Sequence, residues 1–484
     1  MSAVELNVER LLRGPTERRA QRNSKVVIDA SRISRVEPAI AGEGKGLLAM
    51  PALANAHDHA RAVKPAALGA LGLPLELWLA AITGAPRVDP YVLAAVAFGR
   101  TALGGAGTIM AHYIRPQGGM SLVDEAREVA RAAQDVGVRI AFALSMRDRN
   151  AIAYGDDERT LQMLPSGDRD LIRQRLAPRQ PEPNAQVALI EEIAAAVESP
   201  LVTVQFGPAG VQWCSEPLLR AIAERSAATG RRIHMHLLET KYQREWADRA
   251  YPQGMLGFLD DIGLLSPRLS VAHAVWARPE ELALLASRGV TISVNNSSNM
   301  GLRSGLPPVG EMLRAGVPVA IGLDGVGLDD DDDALRELRL AWYLHHGIGL
   351  DSALDAATLM RAACETGRRS VSGIDEPAAL EPGRLADILV LDYGAFSRDV
   401  IAEPFDELPL ILARASSRHI RSLYVAGREV VSRGRLTGID LPALENEMLT
   451  QLRQGIEGFN EWQRTVLRMR AGLTRFYTDH MHCT

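Results

Sequence analysis

Cysteine is nearly missing from this 484-residue chain, which holds only Cys214, Cys364 and Cys483. Three scattered thiols exclude the disulfide framework of a secreted protein, and Cys214 and Cys364 read as small buried residues in a reducing cytoplasm. Lysine is almost as scarce: Lys25, Lys45, Lys64 and Lys241 stand against a basic complement that is otherwise arginine. The charges nearly balance, the formal net value being −5. That balance argues against nucleic acid or an anionic membrane as the principal partner. Nowhere do 18 apolar residues run on, so no transmembrane helix is expected. MSAVELNVERLLRG lacks the apolar core and small-residue cleavage site of a signal peptide. A cytoplasmic protein is expected.

What is present begins with length, since 484 residues call for a large domain and a smaller companion. Residues 1–48 read as short β segments, VELNVERLL and KVVIDASRISRVE. From there apolar strands alternate with amphipathic helical stretches, the pattern of parallel β/α architecture. The candidate strands are LLAMPALANA, GTIMAHYI, VRIAFALSM, LVTVQFGPA, RRIHMHLLE, LSVAHAVW, VTISVNN and VPVAIGLDG. Eight is the strand number of a (β/α)8 TIM-like barrel, assigned to residues 49–375. Beyond it, LDSALDAATLMRAACETGRRSVSG reads as a helix pair, and β signals return in RLADILVLD and IRSLYVAGREVVSRGRL. Pairing residues 376–440 with 1–48 makes a small discontinuous β-sandwich. Residues 441–484 read as a helical segment with a polar tail, where His480, His482 and Cys483 mimic a ligand set on an end expected to fray. The run Asp329–Asp333 lacks calcium-loop spacing and reads as a helix start.

The chemistry gathers at strand ends. In His57-Asp58-His59 the two imidazoles, at i and i+2 of a strand, point the same way and can grip one divalent metal. His236 and Glu239 in IHMHLLET, His273 in VAHAVW and Asp324 in VAIGLDG each follow their own β run. His57, His59, His236 and Asp324 give three neutral ligands and one carboxylate. Zinc takes such ligands at ~2.0–2.2 Å and lowers the pKa of a bound water toward ~7. Glu239 can swing over that water as a proton shuttle, and His273 can steady developing negative charge. His234 sits two residues before His236, but the His-x-x-Glu spacing selects His236 and leaves His234 a supporting or packing place. For His112, after the second strand, pocket and structural roles stay open, and His345-His346 read as packing or surface. Arg147 and Asn150 follow the third strand and can face the pocket, or Arg147 can bridge to Asp148 or Asp156. Trp78 in PLELWL can wall the pocket or pack a loop.

Taken in order, HDH, HMHLLET, VAHAVW, NNSSNMGLRSG, GLDG and EPGRLADILVLD resemble the amidohydrolase superfamily. Within it they look like the cytosine deaminase, guanine deaminase and triazine hydrolase branch. The resemblance implies one zinc or iron ion on His57, His59, His236 and Asp324. It also implies Glu239 as the acid/base group, His273 as the orienting histidine, and Asp324 as a base toward the metal's water. Binuclear members bridge their metals with a lysine carbamate at the end of strand four. Here LVTVQFGPAG has no lysine, and none lies between Lys64 and Lys241, so a mononuclear centre is expected. The resemblance tilts Trp78 toward a lid and implies a homo-oligomer.

The chain departs from the family pattern at Asn295-Asn296-Ser297-Ser298-Asn299, where His-Asn-Pro often precedes Ser-Asn. It departs again after Asp324, where GVGLDDDDDALRE replaces Gly-Ala and an asparagine-rich loop. The expected activity is release of ammonia from an amino-substituted N-heterocycle such as a pterin, purine, pyrimidine or triazine. Hydrolysis of a cyclic amide or ring C–Cl bond on the same scaffold is the alternative. A non-catalytic relative would be expected to have lost one of the six groups. A nucleic-acid deaminase would show His-x-Glu with Pro-Cys-x-x-Cys, which is absent.

Overall fold

The computed structural model describes residues 3–325, 331–402 and 405–483. Strands β1 (Val4–Leu11), β2 (Gln21–Asp29), β3 (Arg32–Pro38) and β4 (Leu47–Pro51) come first. The next eight are β5 (Leu53–Asp58), β6 (Ala106–Tyr113), β7 (Arg139–Met146), β8 (Val202–Pro208), β9 (Ile233–Leu237), β10 (Leu269–His273), β11 (Thr291–Val294) and β12 (Val319–Ile321). A small ribbon follows, β13 (Gly347–Ile348) with β14 (Asp351–Ser352), and then β15 (Ile388–Asp392), β16 (Ile420–Val425), β17 (Arg428–Ser432) and β18 (Arg435–Leu436).

Strands β5 to β12 pair in sequence order, all parallel. The first and last meet where Asp324 N–H donates to the His57 carbonyl at 2.8 Å and Leu323 N–H to the Asn55 side-chain oxygen at 2.8 Å. These bonds bring the sheet round into a (β/α)8 barrel. Gly322 is required at that seam, because a Cβ there would lie 2.4 Å from Asn295 Oδ1 and 2.8 Å from the His57 nitrogen. The narrow interior is filled by small residues, Ala56, Ala141, Ala143 and Ala320, around Met110 and Val371. The covering helices follow from local sequence. Leu122–Val136 starts at Ser121, whose hydroxyl accepts from Asp124 N–H, a cap worth ~1 kcal/mol. It buries Val123, Ala126, Val129, Ala130, Ala133 and Val136 at helical spacing, and ends on left-handed Gly137.

Two readings of the sequence are corrected. LLAMPALANA is not one strand: it breaks after Pro51, so β4 joins the terminal sheet and β5 the barrel. The expected helix pair is one rod, in which Ala356–Arg361, a π turn at Ala362–Thr366 and Gly367–Ser372 run on with helical backbone until Gly373. Gly367, at the junction of its halves, keeps helical backbone at φ −59° and ψ −50°.

The terminal segments meet in a second eight-stranded sheet of order β18-β17-β16-β15-β4-β1-β2-β3. Leu11, Val26, Ile28, Ala49, Ile388 and Val390 are among its buried core. Arg139 on β7 ties barrel to sheet through a two-point ion pair with Asp387, at 2.7 and 3.2 Å. The helices Leu441–Gln454 and Ile456–Thr478 close the chain's path. The fully buried Trp462 donates to the Ala80 carbonyl at 3.0 Å, backing the helix Leu75–Thr83. Among the described residues no helix is long and apolar enough to cross a membrane. Asp333 caps the helix Ala334–His345 and Asp332 pairs with Lys64, while Asp329 and Asp330 lie outside the described residues.

Candidate metal and catalytic centre

The barrel's C-terminal mouth gathers His57 from β5, His59 from just beyond it, His236 from β9, His273 from β10 and Asp324 from just beyond β12, all buried. His57 Nε2 and His59 Nε2 lie 3.2 and 2.9 Å from Asp324 Oδ1. His236 Nε2 stands 3.4 Å from His59 Nε2. The strand ends are bent hard to achieve this. Ala60, Leu238, His273 and Asp324 all have φ between 47° and 76°, a region non-glycine residues rarely enter.

Hydrogen bonds decide which ring nitrogens are free. Carbonyl oxygens only accept, so His59 Nδ1–H donates to the His112 carbonyl and His236 Nδ1–H to the Ala209 carbonyl, each at 2.7 Å. The Ser270 hydroxyl donates to the Ile233 carbonyl at 3.4 Å, and therefore accepts from His234 Nδ1–H at 2.7 Å. His234 Nε2 then accepts from His57 Nδ1–H, again at 2.7 Å. All three rings thus turn Nε2 lone pairs toward one another and toward the Asp324 carboxylate. Burial pushes His57 down to about 4 and His236 well below its ordinary 6.5, keeping both neutral. Converging lone pairs around a carboxylate repel unless a cation sits among them. The donor set therefore fits a divalent metal with imidazole and carboxylate ligands.

Glu239 follows β9. Its backbone N–H donates to Gln243 Oε1 at 2.8 Å, and its Oε1 accepts from the Ser304 hydroxyl at 3.2 Å. Its other oxygen lies 3.7 Å from His273 Nε2. Burial pushes the Glu239 carboxyl up to about 7, with His273 opposing and Asp324 and Glu76 adding. His273 Nδ1 is anchored on Asn299 Oδ1 at 2.8 Å, and Ser298 Oγ donates to Asp324 Oδ2. Ser298 and Asn299, the Ser-Asn that the chain shares with the family pattern, thus hold the aspartate and the histidine in place.

A cavity of about 520 Å³ opens over these groups, with His59, His236, Glu239, His273 and Asp324 in its lining. Trp78 and Arg147 are in its lining, and Arg147 also donates to the Ala151 carbonyl at 2.9 Å. Asn150 is not: its amide donates to the Gln212 carbonyl at 2.7 Å, on a backbone with φ 51°. Three lining residues went unread in the sequence. Arg61 stacks over Trp78, 4.8 Å from its ring centre, and both terminal nitrogens are buried with no hydrogen-bond partner among the described residues. Glu76 accepts from Thr240 Oγ1 at 2.6 Å, and Tyr154 Oη accepts from Gln243 at 3.3 Å. Arg61 follows His59 by two residues, a spacing that could have flagged it.

A (β/α)8 barrel with a metal-competent histidine–aspartate centre at its mouth defines the class, that of the barrel hydrolases. More narrowly, the chain belongs to the amidohydrolase family, whose profile matches residues 48–430. Two relatives narrow the likeness. A 5'-deoxyadenosine deaminase of Methanopyrus kandleri is 34% identical over 241 residues, covering 50% of this chain and 55% of the relative. A 5-methylthioadenosine/S-adenosylhomocysteine deaminase of Thermococcus sibiricus is 32% identical over 267 residues, 55% of this chain and 57% of the relative. The chain thus spans little more than half the length of these relatives. Among solved structures, an adenosine deaminase from Xanthomonas campestris with bound zinc is similar in fold at TM-score 0.73 and 22% identity, covering 94% of this chain and 98% of that one.

Proposed function

We propose that this protein is a metal-dependent aminohydrolase that releases the exocyclic amine of an aromatic N-heterocycle as ammonia, with 6-aminopurine nucleosides the first class to test. The observation that carries this reading is the convergence on one cavity of His59, His236 and Asp324, with His57 against Asp324 behind them and Glu239 and His273 beside them. The relatives' names support the purine ring. The cavity suits it, since drug-sized ligands occupy ~300–1,000 Å³. Trp78, Tyr154 and Trp213 give it aromatic walls. Arg61 and Trp78 Nε1, donors without a partner among the described residues, favour a substrate bearing an oxo, hydroxyl or carboxylate acceptor.

His57, His59, His236 and Asp324 would hold one divalent cation, zinc being the ion such donors favour and iron the other candidate. When bound it supplies Lewis acidity that makes a water acidic near pH ~7. Glu239, pushed up to about 7, holds a proton on Oε2 and passes it to the ring nitrogen beside the amino-bearing carbon. Asp324 Oδ2 is occupied by the Ser298 hydroxyl, which leaves Oδ1 to take a proton from water. His273 presents Nε2, which has no hydrogen-bond partner among the described residues, to the cavity where negative charge gathers. Water's oxygen joins the ring carbon, the C–N bond breaks, and water's two protons end on the oxo product and the departing ammonia. The free cysteines support a reducing, cytoplasmic setting.

The test is ammonia release from 5'-deoxyadenosine, 5-methylthioadenosine, adenosine, guanine, pterin and an aminotriazine, at measured metal content. Ammonia in step with a purine product supports the reading. Silence across the panel with metal present would move the protein to another leaving group.

A further inference from the structure

The polar tail carries a second set of donors, and it is not frayed. After the helix Ile456–Thr478 the chain makes a turn at Met481–Cys483 against the helix Lys241–Ala250. His480 Nδ1 and His482 Nε2 both aim at Glu245 Oε2, at 3.1 and 3.0 Å. Cys483 completes a group of four whose ligand atoms all lie within 4.8 Å of one another. Tetrahedral zinc, with bonds of ~2.0–2.3 Å, sets its donors ~3.3–3.8 Å apart, so small rotations would close this group round an ion. The His482 side chain is fully buried, and its Nδ1 has no hydrogen-bond partner among the described residues. His480 adopts φ 55° to turn its ring back onto Glu245.

We propose that Glu245, His480, His482 and Cys483 form a structural zinc site that clasps the tail to the helix following β9. Two imidazoles, a carboxylate and a thiolate suit zinc, whereas magnesium and calcium seek oxygen donors. Simple hydrogen bonding of both rings to Glu245 would leave the thiol without a part. The clasp bears on the cavity. Tyr242 and Tyr477 pack against the His482 ring at 5.4 and 5.3 Å, and Tyr477 lines the cavity. Tyr477 Oη accepts from Tyr154 N–H at 3.3 Å, and Tyr154 Oη accepts from Gln243, whose side chain holds the Glu239 backbone.

Cobalt tests this in the full chain. No sulfur stands among the barrel donors, so a thiolate-to-cobalt charge-transfer band in the near ultraviolet reports the tail alone, whatever the barrel holds. The expected result is that band in the unaltered protein. Cys483→Ser should abolish it with the loss of one bound ion per chain, and Cys483→His should restore the ion without the band. Absence of the band at saturating cobalt, or a Cys483→Ser variant with undiminished metal content, would overturn the site. The measurement on the unaltered protein decides even if a variant folds poorly.

Discussion

Glu239 illustrates what one residue gives up for chemistry. Its carboxyl titrates near 7 instead of 4.5 because burial disfavours the charged form. Below the ordinary value, folded and unfolded chains both hold the proton and nothing is lost. Between 4.5 and about 7 the unfolded chain ionises first, so stability falls as pH rises. Above that the full penalty stands, on the order of 3 kcal/mol in the metal-free protein. Glu239→Gln should therefore raise the melting temperature of metal-free protein at pH ~8 and leave it nearly unchanged near pH ~4.5. The same variant should lose turnover by ~10²–10⁴-fold while keeping its metal, checked by ammonia release and elemental analysis. His57→Ala should lower the metal content itself. These residues were legible because each stands beside its own apolar run with a spacing the chemistry demands. Glu76 and Tyr154 were not, since Glu76 reaches the cavity on a helix positioned by the distant Trp462 and Tyr154 through a contact with Tyr477. No local pattern announces such partners.

At the scale of elements, the site depends on where strands stop. β9 ends at Leu237 and β10 at His273, and the left-handed backbone at Leu238, His273 and Asp324 turns each side chain over the mouth. Strand identity was readable from apolar runs, because a barrel strand is buried on both faces. The split of LLAMPALANA was not, because both halves are apolar and only tertiary pairing assigns one to each sheet. The segment after β11 is similar. VTISVNN reads as strand throughout, yet from Asn296 it becomes the short helix Asn296–Gly301, which sets Ser298 against Asp324 and Asn299 against His273. That helix therefore acts by positioning. Asn299→Ala should leave the metal in place and lower turnover ~10–100-fold, the usual cost of losing a support behind a site histidine. Elemental analysis beside steady-state rates checks this. Metal loss in that variant would mean that the helix holds the donor cluster instead.

Across the whole molecule, three parts share one buried framework. Asp387 sits between the terminal sheet and the barrel, accepting from Arg139 at two points and from Ala426 N–H at 2.7 Å, with Arg368 at 3.7 Å. The pair is almost wholly inside, at 3% and 7% side-chain exposure, so its worth lies less in attraction than in what its loss leaves behind. Asp387→Ala would strand two buried guanidiniums, and breaking such a pair costs ~3–5 kcal/mol. Asp387→Asn keeps the two contacts at Oδ1 but turns an NH2 donor on the Arg139 guanidinium, so it too should destabilise. Because the same residue also bonds the β16–β17 turn, the loss should reach both sheets together. Denaturant unfolding followed by hydrogen exchange of the terminal-sheet amides and by residual activity should then give coincident curves, shifted to lower midpoint in the alanine variant with unchanged activity per folded molecule. All six tryptophans lie outside the terminal sheet, so amide exchange and not fluorescence follows that sheet. Separation of the two curves would mean that the terminal sheet melts on its own while the barrel and its centre persist.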